Sequence, residues 1–332
     1  MTARGTNLPR VKKQNEALIK EIIYKYGPIS RGKIAEMLSL TPPTITTNVT
    51  SLIERGLVYE FPADASDVEE RSLGRRPVKI DFVQDARYAI GVELNPYQTA
   101  ICMLDLHGNE KISVKFPPMN GEYVEEMDAL AQSIDKLIAG SGVDMEKILG
   151  VGVGLPGFVE AKAGVLRESF KTNWNNKNIA RDLTRRLEVP VLIENNARIR
   201  AAGEEMFGKT LRPDSFAYYL ISYGIACPLL VKNRMITGEN ASTGEAGHMV
   251  VEINGPKCET CGHNGCLEEM ASERAILKRC KAAVYAGAST MLTELCPDPA
   301  DMTMKDVIMA EECNDTLVVK IMEEAVMYLG VA

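Results

Sequence analysis

The first eighty positions carry apolar residues at helical spacing in short runs. In "NEALIKEIIYKYG", Leu18, Ile22 and Ile23 predict one helix face, and Gly27 with Pro28 ends it. "SRGKIAEML" predicts a second, shorter helix with Ser30 as its N-cap and Ile34, Ala35 and Leu38 turned inward. In "TPPTITTNVTSLIERG", Thr41 caps, Pro42 takes the first helical position, and Ile45, Val49, Leu52 and Ile53 make an apolar stripe. Two strands, "LVYEF" and "RPVKIDF", follow around a polar loop, which completes a winged helix-turn-helix over residues 1–82.

Beyond residue 86 the period changes. "YAIGVEL" and "TAICMLDL" read as apolar strands, with "HGNE" as a hairpin turn and a helix over "EYVEEMDALAQSIDKLIAGSG". "KILGVGVGLPGFVE" is a buried strand entering a Gly-Pro turn, and "RDLTRRLEVPVLIENNARIRAAGEEMFG" is helix, strand, helix. Strands alternating with helices predict an α/β layer fold with ligands at strand ends. The glycines of "GVGVGLPG" fit either a phosphate cradle or a tight turn beside a packed helix, and spacing alone leaves both open.

Composition adds a contrast between the ends. Hydrophobic residues at 45% and charged residues at 25% are those of an ordinary globular chain of 332 residues, which excludes disorder, collagen-like repeats and coiled coil. Residues 1–80 hold thirteen lysines and arginines against nine acids, leaving twenty-five against thirty-six for the rest, within a net charge of −7. Positive charge confined to the head predicts a polyanion partner there. In the helix-turn-helix, Thr44, Thr46, Thr47 and Asn48 are expected to face outward, where such side chains bond phosphates and base edges, with Ser30 and Arg31 at the neighbouring helix start. Arg71, Arg75 and Arg76 in the wing are expected to reach a minor groove or the backbone. The bland alternative is a three-helix module for protein contacts.

No apolar run suits a secretion signal or a bilayer span, so a cytoplasmic address with no membrane partner is expected. Three of the eight cysteines crowd together, and Cys258, Cys261 and Cys266 with His248 form a three-cysteine, one-histidine set of the kind that closes around structural zinc. His263, inside "GHNG", is a competing ligand.

These residues carry a resemblance. "LGRRP", "GVGLPGFVE", "PVLIENNA", "GEAGHMVV" and "CETCGHNGCLEEMAS" occur in the order found in the ROK family (repressors, open reading frames and kinases), and the chain is most similar to its repressors. The resemblance implies an actin-like (ribonuclease H-like) sugar-kinase fold of two lobes, here residues 86–205 and 206–332, with a sugar between them. It places sugar-bonding groups at Asn195, Glu245, His248 and Glu268, and it implies a hexose or amino-sugar effector. If His248 holds zinc by one ring nitrogen, the other faces the sugar.

The resemblance places the kinase's general base at Asn196. An amide has no usable protonation equilibrium near neutral pH, although it can still bond a sugar. Where kinases have an Asp-Gly-Gly-Thr-like loop this chain reads "VELNPYQTA", and a later glycine-rich loop is replaced by "ISYGIACPLL". The family also continues past "VVKIMEEAVMYLGVA", so the second lobe is expected to be incomplete at its C-terminus. The resulting expectation is a sugar-responsive repressor without catalysis, acting on pseudo-palindromic operator DNA as a homo-oligomer, dimer or tetramer. The rivals are a sugar kinase with a DNA-binding head, and a regulator controlled by a protein partner.

Overall fold

A computed structural model describes residues 8–62, 78–169, 172–208, 213–239 and 242–332. The chain divides into two compact units. The first holds Met1–Leu94, Gln98–Val153 and Ile179–Leu192; the second holds Asn95–Tyr97, Gly154–Asn178 and Ile193–Ala332.

The first unit begins with α1 (Leu8–Tyr26), β1 (Ile29–Ser30), α2 (Arg31–Leu38), α3 (Pro42–Glu54), β2 (Val58–Pro62) and β3 (Val78–Phe82). The three strands form a sheet in the order β1-β3-β2, with β3 antiparallel to both neighbours. Ile19, Ile23, Ile34, Ile45, Val49, Leu52 and Ile80 are all but inaccessible and form the core of this head. Each such side chain contributes about 1.5–3 kcal/mol by leaving water. The face of α1 differs from the expectation at one position. Leu18 is exposed and Ile19 is buried in its place, because the buried pair Ile19 and Ile23 lies one turn apart on the side that packs against α3.

The small sheet reaches further than the pattern announced, since the two-residue β1 between Pro28 and α2 pairs Ile29 with Ile80. Its Ser30 then caps α2, accepting from the Lys33 amide at 3.3 Å. Thr41 stands at the N-cap of α3 with Pro42 inside it, but its hydroxyl meets Thr44 Oγ1 at 2.9 Å instead of a backbone amide.

The same unit continues through β4 (Tyr88–Leu94), β5 (Thr99–Asp105), β6 (Glu110–Phe116), α4 (Tyr123–Ser141), β7 (Ile148–Leu155), then, past β8 (Phe158–Glu160) and β9 (Val165–Glu168), α5 (Ile179–Leu187) and β10 (Val191–Asn195). One sheet runs in the order β10-β7-β4-β5-β6. Met127, Leu130, Ile134, Leu137 and Ile138 give α4 a buried stripe at helical spacing. The head is fastened to this sheet through the β5–β6 turn. Gln84 Nε2 donates to Asp105 Oδ2 at 2.7 Å, Leu106 N donates to the Gln84 carbonyl at 3.1 Å, and His107 Nε2 lies 3.1 Å from the Phe82 carbonyl.

The second unit contains the β8–β9 hairpin and α6 (Asn196–Phe207). Short strands follow: β11 (Phe216–Ala217), β12 (Leu220–Ile221), β13 (Ile225–Ala226), β14 (Leu229–Val231) and β15 (Arg234–Met235). Then come α7 (Leu267–Ala271), α8 (Glu273–Tyr285), α9 (Leu292–Leu295), α10 (Met304–Glu312) and α11 (Thr316–Val331). Leu267, Ile276, Leu292, Val307, Val318 and Ile321 form its helical core. Among the described residues no helix is long and apolar enough to cross a membrane.

Candidate sugar pocket, metal cluster and DNA-facing head

The pocket is built where α6 begins. Asn195 is the N-cap of that helix: its Oδ1 accepts from the amides of Ala197 (2.9 Å) and Arg198 (3.3 Å), and its Nδ2 donates to the Gly157 carbonyl at 3.1 Å. Gly157 can present that carbonyl because it sits at φ +114°, and a Cβ there would overlap the Glu168 carbonyl. Gly154 lets β7 approach the start of α6, since a Cβ would stand 3.2 Å from Ile199 Cδ1 and 3.6 Å from Asn196 Cα. Of the glycines left open between two readings, Gly154 and Gly157 therefore serve close packing.

A cavity of about 500 Å³ lies wholly within the second unit. Asn195, Asn196, Glu245, His248 and Glu268, the residues expected to meet a sugar, all line it. Burial pushes the Glu245 carboxyl upward, opposed by the charges of His248 and Arg198 and assisted by that of Glu268. Carboxylates, amides and an imidazole together offer donors and acceptors at several angles, which suits the hydroxyls of a small polyol.

Sequence reasoning missed the other wall. The residues after β4 turn through Asn95, whose Oδ1 accepts from the Tyr97 amide at 2.9 Å, and Tyr97 enters the lining. Its hydroxyl donates to Glu273 Oε2 at 2.6 Å and its ring meets Tyr223 edge-on, 6.0 Å between centroids. Tyr223 lies in the turn between β12 and β13, fixed where the Glu273 amide donates to the Ser222 carbonyl at 2.9 Å. Arg274 adds a guanidinium 5.7 Å from the Tyr223 ring centroid, bonded to Glu259 at 3.0 Å and to Glu269. The signal for Glu273 and Arg274 was their position directly after "CLEEMAS", but only the folded turns show what they grip.

Beside the pocket, a ring nitrogen of His248 and the Sγ atoms of Cys258, Cys261 and Cys266 lie within 4.8 Å of one another. Cys261 and Cys266 are 3.4 Å apart, and His248 Nδ1 is 3.7 Å from Cys258. Sulfurs at about 2.3 Å from a tetrahedral ion stand at comparable separations, so the donor set fits a metal. Burial and the neighbouring thiols push Cys266 up to about 12 and raise Cys258 as well. At Cys261 desolvation is outweighed by hydrogen bonds from the His263 backbone and from Cys266, which bring the thiol down to about 6. The knuckle closes through Gly265, at φ +67°, where a Cβ would overlap the Glu252 carbonyl. His248 belongs to this cluster, and His263 lies beside it, hydrogen-bonded to Cys261 through backbone and side chain. Glu268 borders both sites, with Oε1 3.4 Å from Cys258 Sγ and 3.8 Å from His248 Nδ1.

In the head, Thr46 and Thr47 are exposed on α3 and Thr44 is half-buried. Asn48 corrects an expectation. It is buried, at 3% exposure, and its Nδ2 donates to the Thr44 carbonyl at 2.8 Å, because it falls beside Val49 on the inner edge of the helix. Ser30 spends its hydroxyl on capping α2. Arg31 is drawn to Glu60 on β2 at 2.7 Å and to the Thr46 carbonyl at 3.4 Å. Arg71, Arg75 and Arg76 lie outside the described residues.

The fold and site thus define a class: an α/β sugar-kinase-like chain carrying a winged helix-turn-helix head. A profile of the ROK family matches residues 89–332 and one of the MarR family matches residues 14–64. The chain belongs to the ROK family. It is 32% identical to the xylose repressor of Bacillus spizizenii over 81% of this chain and 68% of that protein. It is 28% identical to the DNA-binding transcriptional dual regulator NagC of Escherichia coli over 98% of this chain and 77% of that one. A crystal structure of a ROK family transcriptional regulator, a homologue of the E. coli MLC protein, superposes with a TM-score of 0.80 at 23% identity, covering 96% of this chain and 78% of that chain, and shows the shared fold.

Proposed function

We propose that this chain is a DNA-binding repressor whose ROK portion binds a sugar and does not phosphorylate it. The observation that carries the reading is the pocket itself: the residues expected to bond a sugar line one cavity, while the position expected to hold a kinase base is the amide Asn196. Phosphoryl transfer depends on positioned charges and a base for the attacking hydroxyl. Here the turn after β4 presents Asn95, Pro96 and Tyr97 to the cavity, and the β12–β13 turn presents Tyr223 and Gly224.

The relatives named for xylose repression and for NagC support a sugar as effector and operator DNA as target. Thr46 and Thr47 on α3, with Arg71, Arg75 and Arg76 of the wing, are the residues we assign to DNA, and Ser30 and Arg31 to holding α2 and β2 in place. We assign zinc to His248, Cys258, Cys261 and Cys266, where it would fix the loop that carries His248, Glu259 and Thr260 to the cavity wall. Paired heads of a homo-oligomer would read half-sites about one helical turn apart or a multiple of it. Residues 1–82, 86–205 and 206–332 are the corresponding functional segments.

Two assays on one preparation test the reading. Calorimetry with xylose, glucose and N-acetylglucosamine is expected to show binding of at least one sugar, and ATP with the same sugars is expected to give no phosphorylated product. Turnover of a bound sugar would overturn the reading in favour of a kinase.

A further inference from the structure

The geometry points to an unphosphorylated sugar, neutral or cationic, as the ligand of this pocket, with sugar phosphates rejected. This rests on the sugar-binding reading above and adds the charge state of the ligand.

Carboxylates dominate the described lining. Glu168, Glu245, Glu259 and Glu268 face the cavity against two arginines, Arg200 and Arg274. A phosphate ester brings between one and two negative charges near neutral pH, so it needs cations or backbone amides that are free to turn toward it. Among the described lining residues both arginines are engaged, and two amides at the start of α6 are taken. Arg274 is already held by Glu259 at 3.0 Å and by Glu269, with Glu268 3.7 Å away. Releasing one of its arms to a phosphate would leave a carboxylate without its partner; for Glu269, which is buried, that is costly. Arg200 lies on the exposed side of α6 and is engaged as well.

The backbone gives the same answer. The start of α6 lines the cavity, and a helix start is an ordinary place to seat a phosphate. Here Asn195 Oδ1 takes the amides of Ala197 and Arg198, so two of the amides that would bond an anion at this helix start are satisfied from within the chain. Tyr97 cannot replace them, since its hydroxyl donates to Glu273. A sugar hydroxyl, by contrast, donates readily to a carboxylate, and the excess of acceptors suits a ligand that brings donors.

The test uses the full chain, zinc-replete, at one fixed ionic strength. Calorimetric titrations are run with glucose, xylose, glucosamine and N-acetylglucosamine, and in parallel with glucose 6-phosphate and N-acetylglucosamine 6-phosphate. The inference expects at least one free sugar to bind, and any phosphate ester to bind at least about tenfold more weakly than its parent. Glu259→Gln should narrow that ratio severalfold, because it removes one lining charge and frees one arm of Arg274. A phosphate ester that binds as tightly as its parent, or more tightly, overturns the inference and leaves sugar binding standing. Silence with every sugar and every ester overturns the sugar-binding reading, and the inference with it.

Discussion

Replacing Asn195 by alanine separates two accounts of that side chain, ligand contact and structural cap. The substitution removes the acceptor that serves the Ala197 and Arg198 amides and the donor that serves the Gly157 carbonyl. Loss of an N-cap of this type costs about 1 kcal/mol, within a range of about 0.5–2. A buried carbonyl left without its partner adds about 1–3 kcal/mol. Asn195→Ala is therefore expected to destabilise the second unit by roughly 2–4 kcal/mol with no ligand present. Asn195→Ser restores a capping oxygen and should recover about 1 kcal/mol, since serine is too short to reach Gly157. The single tryptophan, Trp174, is buried in this unit and supplies the probe: its fluorescence through a urea titration gives the midpoint and slope for each variant. A loss below about 0.5 kcal/mol for Asn195→Ala, or a serine variant no better than alanine, would refute the capping argument.

The remaining predictions concern other parts of the chain. Zinc analysis after gentle purification should find about one equivalent per chain, and Cys266→Ser should lower both metal content and thermal stability; full retention of metal would count against the cluster. Asp315 accepts from the amides of Met291, Leu317 and Val318 and from Thr290 Oγ1, and these bonds outweigh desolvation and hold its carboxyl below the ordinary 3.8. A depressed pKa means the stabilisation is complete above the unfolded value and is lost as pH falls through the folded one. Asp315→Asn should thus flatten the acid limb of the stability profile below about pH 4 and change little of its slope above pH 6. Asn196→Asp should confer no phosphorylation of any bound sugar, because the turns that would seat the nucleotide's phosphates carry Pro96, Tyr97 and Tyr223; gained turnover would show that only the base was missing.

Much of this was legible from residue order. The 3.6-residue period of Ile45, Val49 and Leu52 set α3, and the hairpin at "HGNE" lies where the turn residues put it. The cluster of three cysteines was visible because metal ligands must be close in space and short loops keep them close in sequence. What failed was rotation about a helix axis. Leu18 and Asn48 each lie one residue from a buried neighbour, and which of the two turns inward is decided by the packing partner, not by periodicity. The Tyr97–Glu273 bond was hidden for another reason: the two residues are 176 positions apart, and the place of Glu273 directly after "CLEEMAS" does not point to its partner. Glu273 and Arg274 acquire their role only once α8 starts beside the β12–β13 turn.

The central claim is that the head reads DNA and the pocket reports on a sugar, and one titration tests it most directly. The full chain is added to DNA from upstream of its own gene at fixed salt, with and without xylose, glucose, glucosamine and N-acetylglucosamine. The account predicts a specific complex whose affinity changes at least severalfold with one of these sugars, and by reciprocity the same factor for that sugar when DNA is bound. A specific complex indifferent to every sugar, or no specific complex at all, would contradict it.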